Sequence, residues 1–242
     1  MPHLLELFCG TKSVGKVFEA RGWKVTSVDF DPQFEPTLCM NVLDLEPNMI
    51  EGNVDLVWAS PLCTHYSRAR TTARTPRDLE GSDALVRKCL DLADRLFCHY
   101  FIENPESGLL KTRDVVARIP YRVVDYCVYA DERFAHRARK RTALWTNTNW
   151  KPSRPLCNKD CGHCVGNRHI DHAQRGGSAT GRRHSLHELY SMPPALVEDI
   201  ADWAEVTWTQ GESFLFFLFF RFFVFLFVCF FVFCFVLFWG IC

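Results

Sequence analysis

The sequence predicts an α/β fold with a largely parallel, doubly wound sheet of seven strands and helices on both faces. Short apolar stretches alternate with helical ones over the first 60 residues, as βαβ units require. A glycine turn, Cys9-Gly10-Thr11, separates the first strand from the first helix. Polar residues follow several later strands, and open α/β sheets bind their ligands at such strand ends.

Composition limits the protein to one domain, or one domain with an appendage, in 242 residues. The formal net charge is zero, so nucleic acid would have to bind at local basic patches. Each patch taken alone is also typical of a solvated surface. The patches are Arg68, Arg70, Arg74 and Arg77; residues 133–141; and Arg182, Arg183 and His184.

The cysteines do not form the pattern of a secreted disulfide framework. Most lie singly in apolar runs, as reduced core thiols do: Cys9, Cys39, Cys89, Cys98 and Cys127. The chain enters its first strand at His3 without a signal peptide. We therefore expect a reducing compartment, either nucleus or cytoplasm.

The first half of the chain has the pattern of a cofactor-binding domain. Strand 3–8 leads through the glycine turn into helix 13–20, which Ser13 should cap. A second strand, 25–28, ends at Asp29, about 20 residues after the turn, where a ribose diol needs an acceptor. We predict a third strand over 41–45 with Asp44 at its end.

The second half carries candidate catalytic groups at strand ends. A buried strand over 54–57 leads into the segment 58–67, where Pro61 breaks the strand and Cys63 follows. Cys63 is either a thiolate nucleophile or a small core residue. After a helix over 75–96, the fifth strand, 99–102, ends in Glu103-Asn104-Pro105. Strands over 121–129 and 139–147 complete the predicted sheet.

These residues resemble, in order and spacing over 3–147, the motifs of the S-adenosylmethionine-dependent cytosine-5 DNA methyltransferase family, of which this chain looks like a short and divergent member. The matching stretches are LELFCG, SPLC, ENP and RKRTALW. The resemblance implies a Rossmann-like methyltransferase fold. It also implies S-adenosylmethionine contacts by the residues at the family's cofactor positions, which are Phe8, Gly10, Thr11, Asp29, Asp44 and Pro61. RHSLHELYSMP, over 183–193, resembles a late arginine-containing motif of the family.

The chemistry of cytosine methylation explains why such residues are needed. Carbon 5 is a poor nucleophile, and addition of a Cys63 thiolate to carbon 6 would activate it. Glu103 would polarise the base at N3, and Arg139 or Arg141 would stabilise charge on O2. His65 near Cys63 is a weaker candidate base than Glu103. Nearby arginines and a helix terminus would favour the thiolate.

A Cys/His-rich segment follows the last predicted strand. Its residues have the number and spacing of a tetrahedral zinc site, and a metal would order a loop with little apolar surface. The alternatives are a surface loop with free thiols, or ligands recruited only from His163 or His184. The candidate ligands are Cys157, Cys161, Cys164, His169 and His172.

The carboxyl-terminal tail is almost entirely Phe, Leu, Val and Cys. Its uncharged run over 222–239 is at the lower limit for a bilayer span. Three interpretations remain: translation of a pyrimidine-rich tract as an artefact, a membrane anchor, or a buried structural role. We expect membrane association only if the tail is genuine.

The expected domain organisation is a catalytic domain over 1–147, a Cys/His insert over 148–181, a return to the catalytic domain over 182–212, and the tail over 213–242. The predicted activity is cytosine-5 methylation of DNA on a base taken out of the duplex. RNA is the alternative substrate. A catalytically inactive adaptor that binds nucleic acid is the alternative from another functional class.

Overall fold

The computed structural model describes residues 1–71, 73–134, 136–172 and 184–209. Its main feature is a seven-stranded sheet in the order β3-β2-β1-β4-β5-β7-β6. The strands are β1 His3–Leu7, β2 Lys24–Asp29, β3 Leu38–Cys39, β4 Leu56–Ala59, β5 His99–Pro105, β6 Tyr121–Asp125 and β7 Arg141–Thr146. β7 is antiparallel to both of its neighbours, and the remaining pairs are parallel. The predicted fold class is confirmed.

The helices connect these strands or follow them. They are α1 Gly15–Ala20, α2 Leu79–Arg95, α3 Tyr126–Tyr129, α4 Leu186–Tyr190 and α5 over 194–209. A second sheet of two antiparallel strands pairs β8, Cys164–Val165, with β9, Arg168–His169. This small sheet lies in the Cys/His-rich segment.

Alternation along β1 places helices on opposite faces of the sheet. Leu5 and Leu7 point into the apolar core that includes Val86 and Leu92 of α2. Glu6 points to the other face, where its carboxylate accepts a hydrogen bond from Gly15 N–H of α1 at 3.1 Å. All five residues of β1 are buried, as expected for a central strand covered on both faces.

The strand order creates a crevice between β1 and β4. The chain runs outward from β1 to β2 and β3, then returns to the other side of β1 to form β4. At such a switch point the loops after the two strands diverge, which leaves room for a ligand at the carboxyl edge of the sheet. The glycine turn follows β1 and the Cys63 loop follows β4, so these two segments flank the crevice.

Two predicted strands are wrong in part. The stretch 41–45 contains a 3-10 turn, Val42–Asp44, because Asn41 Oδ1 accepts from Leu43 N–H at 3.0 Å and bends the chain. The third strand is instead Leu38–Cys39, and Cys39 is exposed rather than a core thiol. The strand predicted over 121–129 ends at Asp125, where α3 begins.

The starts of two helices also differ from the prediction. α1 begins at Gly15 after Val14, which forms no side-chain cap. The hydroxyl of Ser13 instead accepts a hydrogen bond from Met192 N–H at 3.1 Å, so the late segment with α4 contacts the glycine turn region. α2 begins four residues later than predicted because Asp78 caps it through Gly81 N–H at 2.8 Å.

Contacts within the chain divide it into two units, Met1–Ala201 and Asp202–Cys242. Both sheets belong to the first unit, and the described part of the second, 202–209, is helical. The predicted apolar tail over 213–242 lies outside the described residues, as do Arg182 and Arg183 of the third basic patch. Among the described residues, no helix combines the length and hydropathy needed to cross a membrane. The domain boundaries at 147, 181 and 212 stay predictions.

Candidate active site

The loop that carries Cys63 is held at both ends by side chains from other elements. Asn104, fully buried on β5, donates from Nδ2 to the carbonyl of Pro61 at 2.9 Å. At the other end the hydroxyl of Tyr66 donates to Asp83 of α2 at 2.8 Å. Arg113 pairs with the same carboxylate at 2.7 Å. These buried contacts fix the backbone on either side of Cys63.

Cys63 is half-buried beside two opposite charges. Burial raises the pKa of its thiol, and the negative charge of Glu103 raises it further. The ammonium group of Lys140 acts in the opposite direction. The expectation that arginines and a helix terminus lower the pKa of Cys63 is therefore wrong. In the free protein the thiol form is favoured, because buried thiolate lacks hydration.

Glu103 lies on the strand next to the Cys63 loop and is 8% exposed. The hydroxyl of Tyr126 donates to its Oε1 at 3.3 Å. Lys140 Nζ lies 3.9 Å from the same oxygen and 4.9 Å from the centre of the Tyr126 ring. The contacts thus converge on Oε1. Sequence reasoning missed both Tyr126 and Lys140 because neither neighbours Glu103 along the chain.

The two arginines predicted to face the base have different environments. Arg141 forms a two-pronged pair with the buried carboxylate of Asp125, at 2.9 and 2.7 Å. Arg139 is exposed. Lys140, between them, is the basic residue that lies near Glu103. A role for Arg139 or Arg141 at the base stays a prediction.

His65 has a structural role in the described loop. Its Nδ1 accepts the N–H of Asp78 at 2.8 Å, and Arg77 donates to its backbone carbonyl. The imidazole therefore helps join the Cys63 loop to the start of α2. The choice of Glu103 over His65 for polarising the base stays a prediction.

The glycine turn is fixed by Asp29 from the end of β2. Gly10, at φ +43°, donates its N–H to Asp29 Oδ2 at 3.0 Å. Asp31 N–H binds the other oxygen at 3.0 Å. Each carboxylate oxygen keeps a further acceptor position, so Asp29 can shape the turn and still accept from a ribose hydroxyl.

The other predicted cofactor residues differ in their environments. Phe8 has a left-handed backbone and packs partly on the core. Thr11 is buried, and its carbonyl accepts from Lys16 at 3.1 Å. Asp44 is exposed in its 3-10 turn, whereas Pro61 is buried. Phe30, which sequence reasoning missed, follows β2 and is 64% exposed, so its ring is accessible for stacking.

A cluster of three cysteines and one histidine lies at the far end of the same sheet edge. The ligand atoms of Cys127, Cys157, Cys161 and His169 all lie within 4.8 Å of one another. Burial lowers the pKa of His169 and keeps its imidazole neutral, which suits metal binding. The sequence predicts a core thiol at Cys127, but this residue faces three ligands from the Cys/His-rich segment.

Two of the predicted ligands lie outside this group. Cys164 begins the small β8–β9 hairpin opposite His169. His172 contributes its backbone carbonyl to a hydrogen bond with His136 at 3.0 Å. The tertiary fold therefore brings Cys127, a residue 30 positions before Cys157, into this cluster, and Cys164 and His172 are not members of it. Cys127 is a single cysteine in the stretch YCVYA, with no second cysteine or histidine at metal-ligand spacing, so the sequence pattern did not identify it.

The fold, with a glycine turn and a cysteine loop on either side of its crevice, defines a Rossmann-like α/β protein of the methyltransferase type. The chain is 32% identical over 223 residues to the "Probable DNA (cytosine-5)-methyltransferase" of Frog virus 3 (isolate Goorha), covering 83% of this chain and 99% of the relative. It therefore belongs to the cytosine-5 methyltransferase family, as the motif resemblance predicted. No family model matches the chain.

Two solved structures are similar to part of the chain. Dnmt2 methyltransferase of S. pombe is 13% identical, with a TM-score of 0.42, covering 67% of this chain and 59% of that chain. A triple mutant of DNMT2 from Spodoptera frugiperda is 19% identical, with a TM-score of 0.41, covering 67% of this chain and 57% of that chain. The present chain thus spans less than two thirds of both structures.

Proposed function

We propose that the protein transfers a methyl group from S-adenosylmethionine to carbon 5 of cytosine in DNA through a covalent Cys63 adduct. The observation that carries the proposal is the arrangement of Cys63 and Glu103 at the ends of adjacent strands, fixed by the Asn104 bond to Pro61. A nucleophile and a carboxyl group can then act on one planar base between them.

The residues at the glycine turn fit an adenosine cofactor. Gly10 has a φ of +43°, which glycine adopts without strain, and the lack of a Cβ lets its backbone approach a ligand closely. Asp29 can accept hydrogen bonds from the ribose hydroxyls, and the exposed ring of Phe30 offers a stacking surface for adenine. S-adenosylmethionine supplies the methyl group on a sulfonium centre that leaves with the electron pair of the broken C–S bond.

Cys63 is the proposed nucleophile, and Glu103 is the group that polarises the base. The Cys63 thiolate adds to carbon 6, and the electron pair of the C5–C6 double bond makes carbon 5 nucleophilic. A protonated Glu103 carboxyl donates to N3 and accepts from the exocyclic amine through its other oxygen, so charge that builds up on the ring is stabilised. Once carbon 5 carries the methyl group, water takes up the carbon 5 proton, the electron pair of that C–H bond restores the C5–C6 double bond, and the C6–S bond breaks to release the Cys63 thiolate. Because burial favours the thiol form of Cys63, proton removal must precede or accompany addition.

Arginines next to the Cys63 loop are the proposed nucleic-acid contacts. Arg68 and Arg74 are exposed in the segment between Cys63 and α2. Arg70 and Arg77 donate instead to backbone carbonyls of that segment, at Thr75 and His65, and shape it. Exposed guanidinium groups beside the crevice would hold phosphates of an extruded or single-stranded target.

Cys63→Ser tests the reaction. We expect transfer of tritium from labelled S-adenosylmethionine to DNA to fall at least about 1,000-fold, because serine is a far weaker nucleophile. Cofactor affinity, measured by calorimetry, should stay within about twofold, since Gly10 and Asp29 are untouched. Cys98→Ser is the matched control, because Cys98 has the same intermediate burial as Cys63 and lies just before β5, at the opposite edge of the sheet.

The substrate and the covalent step have separate outcomes in this experiment. Label transferred to RNA and not to DNA would assign the alternative substrate. Cofactor binding without transfer to either, by the unaltered protein, would favour the inactive adaptor. Unchanged turnover by Cys63→Ser would rule out the covalent adduct.

We also propose that the Cys3His cluster binds structural zinc. With Zn–S bonds of about 2.3 Å, tetrahedral ligand atoms lie about 3.8 Å apart, within the spread of the four atoms here. Cys127→Ser should reduce zinc content, measured by mass spectrometry, from about one per chain to a small fraction. Cys164→Ser should keep it. Zinc loss in Cys164→Ser and not in Cys127→Ser would reverse the ligand assignment.

A further inference from the structure

Three consecutive residues at the end of β6 contact three separate parts of the protein. Asp125, fully buried, binds Arg141 and accepts the N–H of Cys157 at 3.0 Å. Tyr126 donates its hydroxyl to Glu103 at 3.3 Å. The thiol of Cys127 belongs to the Cys3His cluster. Residues 125–127 therefore link the candidate metal site to the candidate catalytic carboxylate.

This link has little freedom to bend. α3 has four residues, Tyr126–Tyr129, and Tyr126, Cys127 and Tyr129 are buried. The β6–β7 ladder extends to its first residue, because Tyr126 N–H donates to the carbonyl of Lys140 at 3.2 Å. Because only the φ and ψ rotations between planar peptides separate the two residues, a displacement of Cys127 acts directly on the backbone of Tyr126.

The contacts within the cluster are weak without an ion. Cys157 and Cys161 each place Sγ 3.4 Å from His169 Nε2, and the thiol of Cys127 faces the same two sulfur atoms. Sulfur is a weak donor and acceptor. Three of the four ligands come from a segment whose regular structure consists of two-residue strands. Metal–ligand bonds would hold this segment and Cys127 together.

We propose that metal binding at the Cys3His cluster keeps Tyr126 in hydrogen-bonding position against Glu103, which makes Tyr126 a positioning residue of the methyl-transfer site. This inference rests on the proposed function, because it assigns Glu103 a role at the base. Tyr126 holds Oε1 and thereby orients the carboxyl group toward the crevice. The cofactor turn lies on the other side of the β1–β4 crevice, so metal loss should affect turnover more than cofactor affinity.

The test compares the unaltered protein with Cys127→Ser, Tyr126→Phe, the double variant and the control Cys164→Ser. On each protein we measure zinc content, S-adenosylmethionine affinity, kcat and KM. We also measure amide hydrogen exchange of the peptide 101–106, which contains Glu103. Tyr126→Phe should keep its zinc and lose about fivefold to tenfold in kcat, the value of one hydrogen bond. Cys127→Ser should lose zinc, exchange faster over 101–106 and lose at least as much kcat. The double variant should be no slower than Cys127→Ser.

Several results would overturn the inference. One is zinc loss in Cys127→Ser with unchanged kcat and unchanged exchange over 101–106. Another is a double variant whose kcat loss is the product of the two single losses, since independent effects multiply. A third is normal kcat in Tyr126→Phe. If circular dichroism shows that Cys127→Ser does not fold, Cys161→Ser takes its place in the comparison. That variant removes a ligand from the Cys/His-rich segment instead.

The hydrogen-exchange arm separates this inference from the proposed function. If the unaltered protein contains zinc but methylates neither DNA nor RNA, the proposed function fails. Faster exchange over 101–106 in Cys127→Ser would still support the link between the cluster and Glu103. Unchanged exchange would reject that link, whatever the activity.

Discussion

Asn104 shows how one buried side chain fixes the loop that carries Cys63. It lies on β5 and donates to the carbonyl of Pro61 at 2.9 Å, across the strand boundary. Position 62, directly before Cys63, is Leu62 and not a second proline after Pro61. That side chain is 52% exposed. The hydrogen bond from β5 therefore holds the turn without a second proline.

The opposite charges beside Cys63 predict how its reactivity depends on pH. Because the charge of Glu103 raises the pKa of the thiol and Lys140 lowers it, Glu103→Gln should move the pH midpoint of Cys63 alkylation downward. Lys140→Met should move it upward. Iodoacetamide labelling at a series of pH values, resolved by peptide mass spectrometry, measures both midpoints.

The internal control for this labelling is Cys39, which is exposed on β3 three strands away from β4. Its labelling profile should be the same in all three proteins. A Cys63 midpoint that does not move in Glu103→Gln would show that the carboxylate exerts no field at the sulfur.

At the scale of elements, the segment between Cys63 and α2 carries the proposed contacts with nucleic acid. The side chains of Tyr66 and His65 attach it to α2 and to the backbone of Asp78. Arg68 and Arg74 remain exposed on its outer side. A short basic segment fixed at both ends can present charges at a constant distance from Cys63, which favours phosphate contacts close to the reacting base.

Arg68→Ala combined with Arg74→Ala tests these contacts. Removing one phosphate interaction on single-stranded DNA should reduce the slope of log K against log salt by about 0.7, so the slope of the double variant should be smaller by about 1.4. Fluorescence anisotropy with a labelled oligonucleotide at several salt concentrations measures the slope.

Arg118→Ala is the matched control, because Arg118 is exposed just before β6 begins, at the amino edge of the sheet. Its slope should equal that of the unaltered protein. Equal slopes for all three proteins would place the nucleic-acid surface elsewhere.

For the whole molecule, the buried carboxyl of Glu6 makes stability depend on pH. Burial raises its pKa from 4.5 to about 8, so the folded protein keeps the proton over a range where the unfolded chain has lost it. This contribution to stability is complete below pH 4.5 and decreases as pH rises through 8. Between the two values the free energy of unfolding should fall by about 1.4 kcal/mol per pH unit.

Glu6→Gln removes this titration while keeping an oxygen for Gly15 N–H. Urea unfolding at pH 5 and pH 7.5 measures the free energy of unfolding of both proteins. Between these pH values the unaltered protein should lose more stability than the variant, because the variant lacks the titrating carboxyl. A difference that stays constant between the two pH values would mean that Glu6 does not titrate in this range.

Much of the architecture could be predicted from local sequence. Buried apolar runs such as 3–7 and 54–57, separated by helical periodicity and a glycine turn, require strands with helices between them. The prediction was wrong where a side chain competes with the backbone. Asn41 Oδ1 accepts from Leu43 N–H and bends the chain, so a 3-10 turn forms in place of the predicted strand. The Ser13 hydroxyl accepts from Met192 N–H instead of capping α1.

The sequence by itself determined the fold class, the family, and the placing of Cys63, Glu103 and Gly10 at strand ends, because chain order and period fix which residues leave a parallel sheet at its carboxyl edge. Only the tertiary structure decided which side chains meet there. Cys127 joins Cys157, Cys161 and His169, while Lys140 and Tyr126 surround Glu103. These contacts join residues 23 to 42 positions apart. Their spacing depends on how β5, β6 and β7 pair, and no local pattern encodes that pairing.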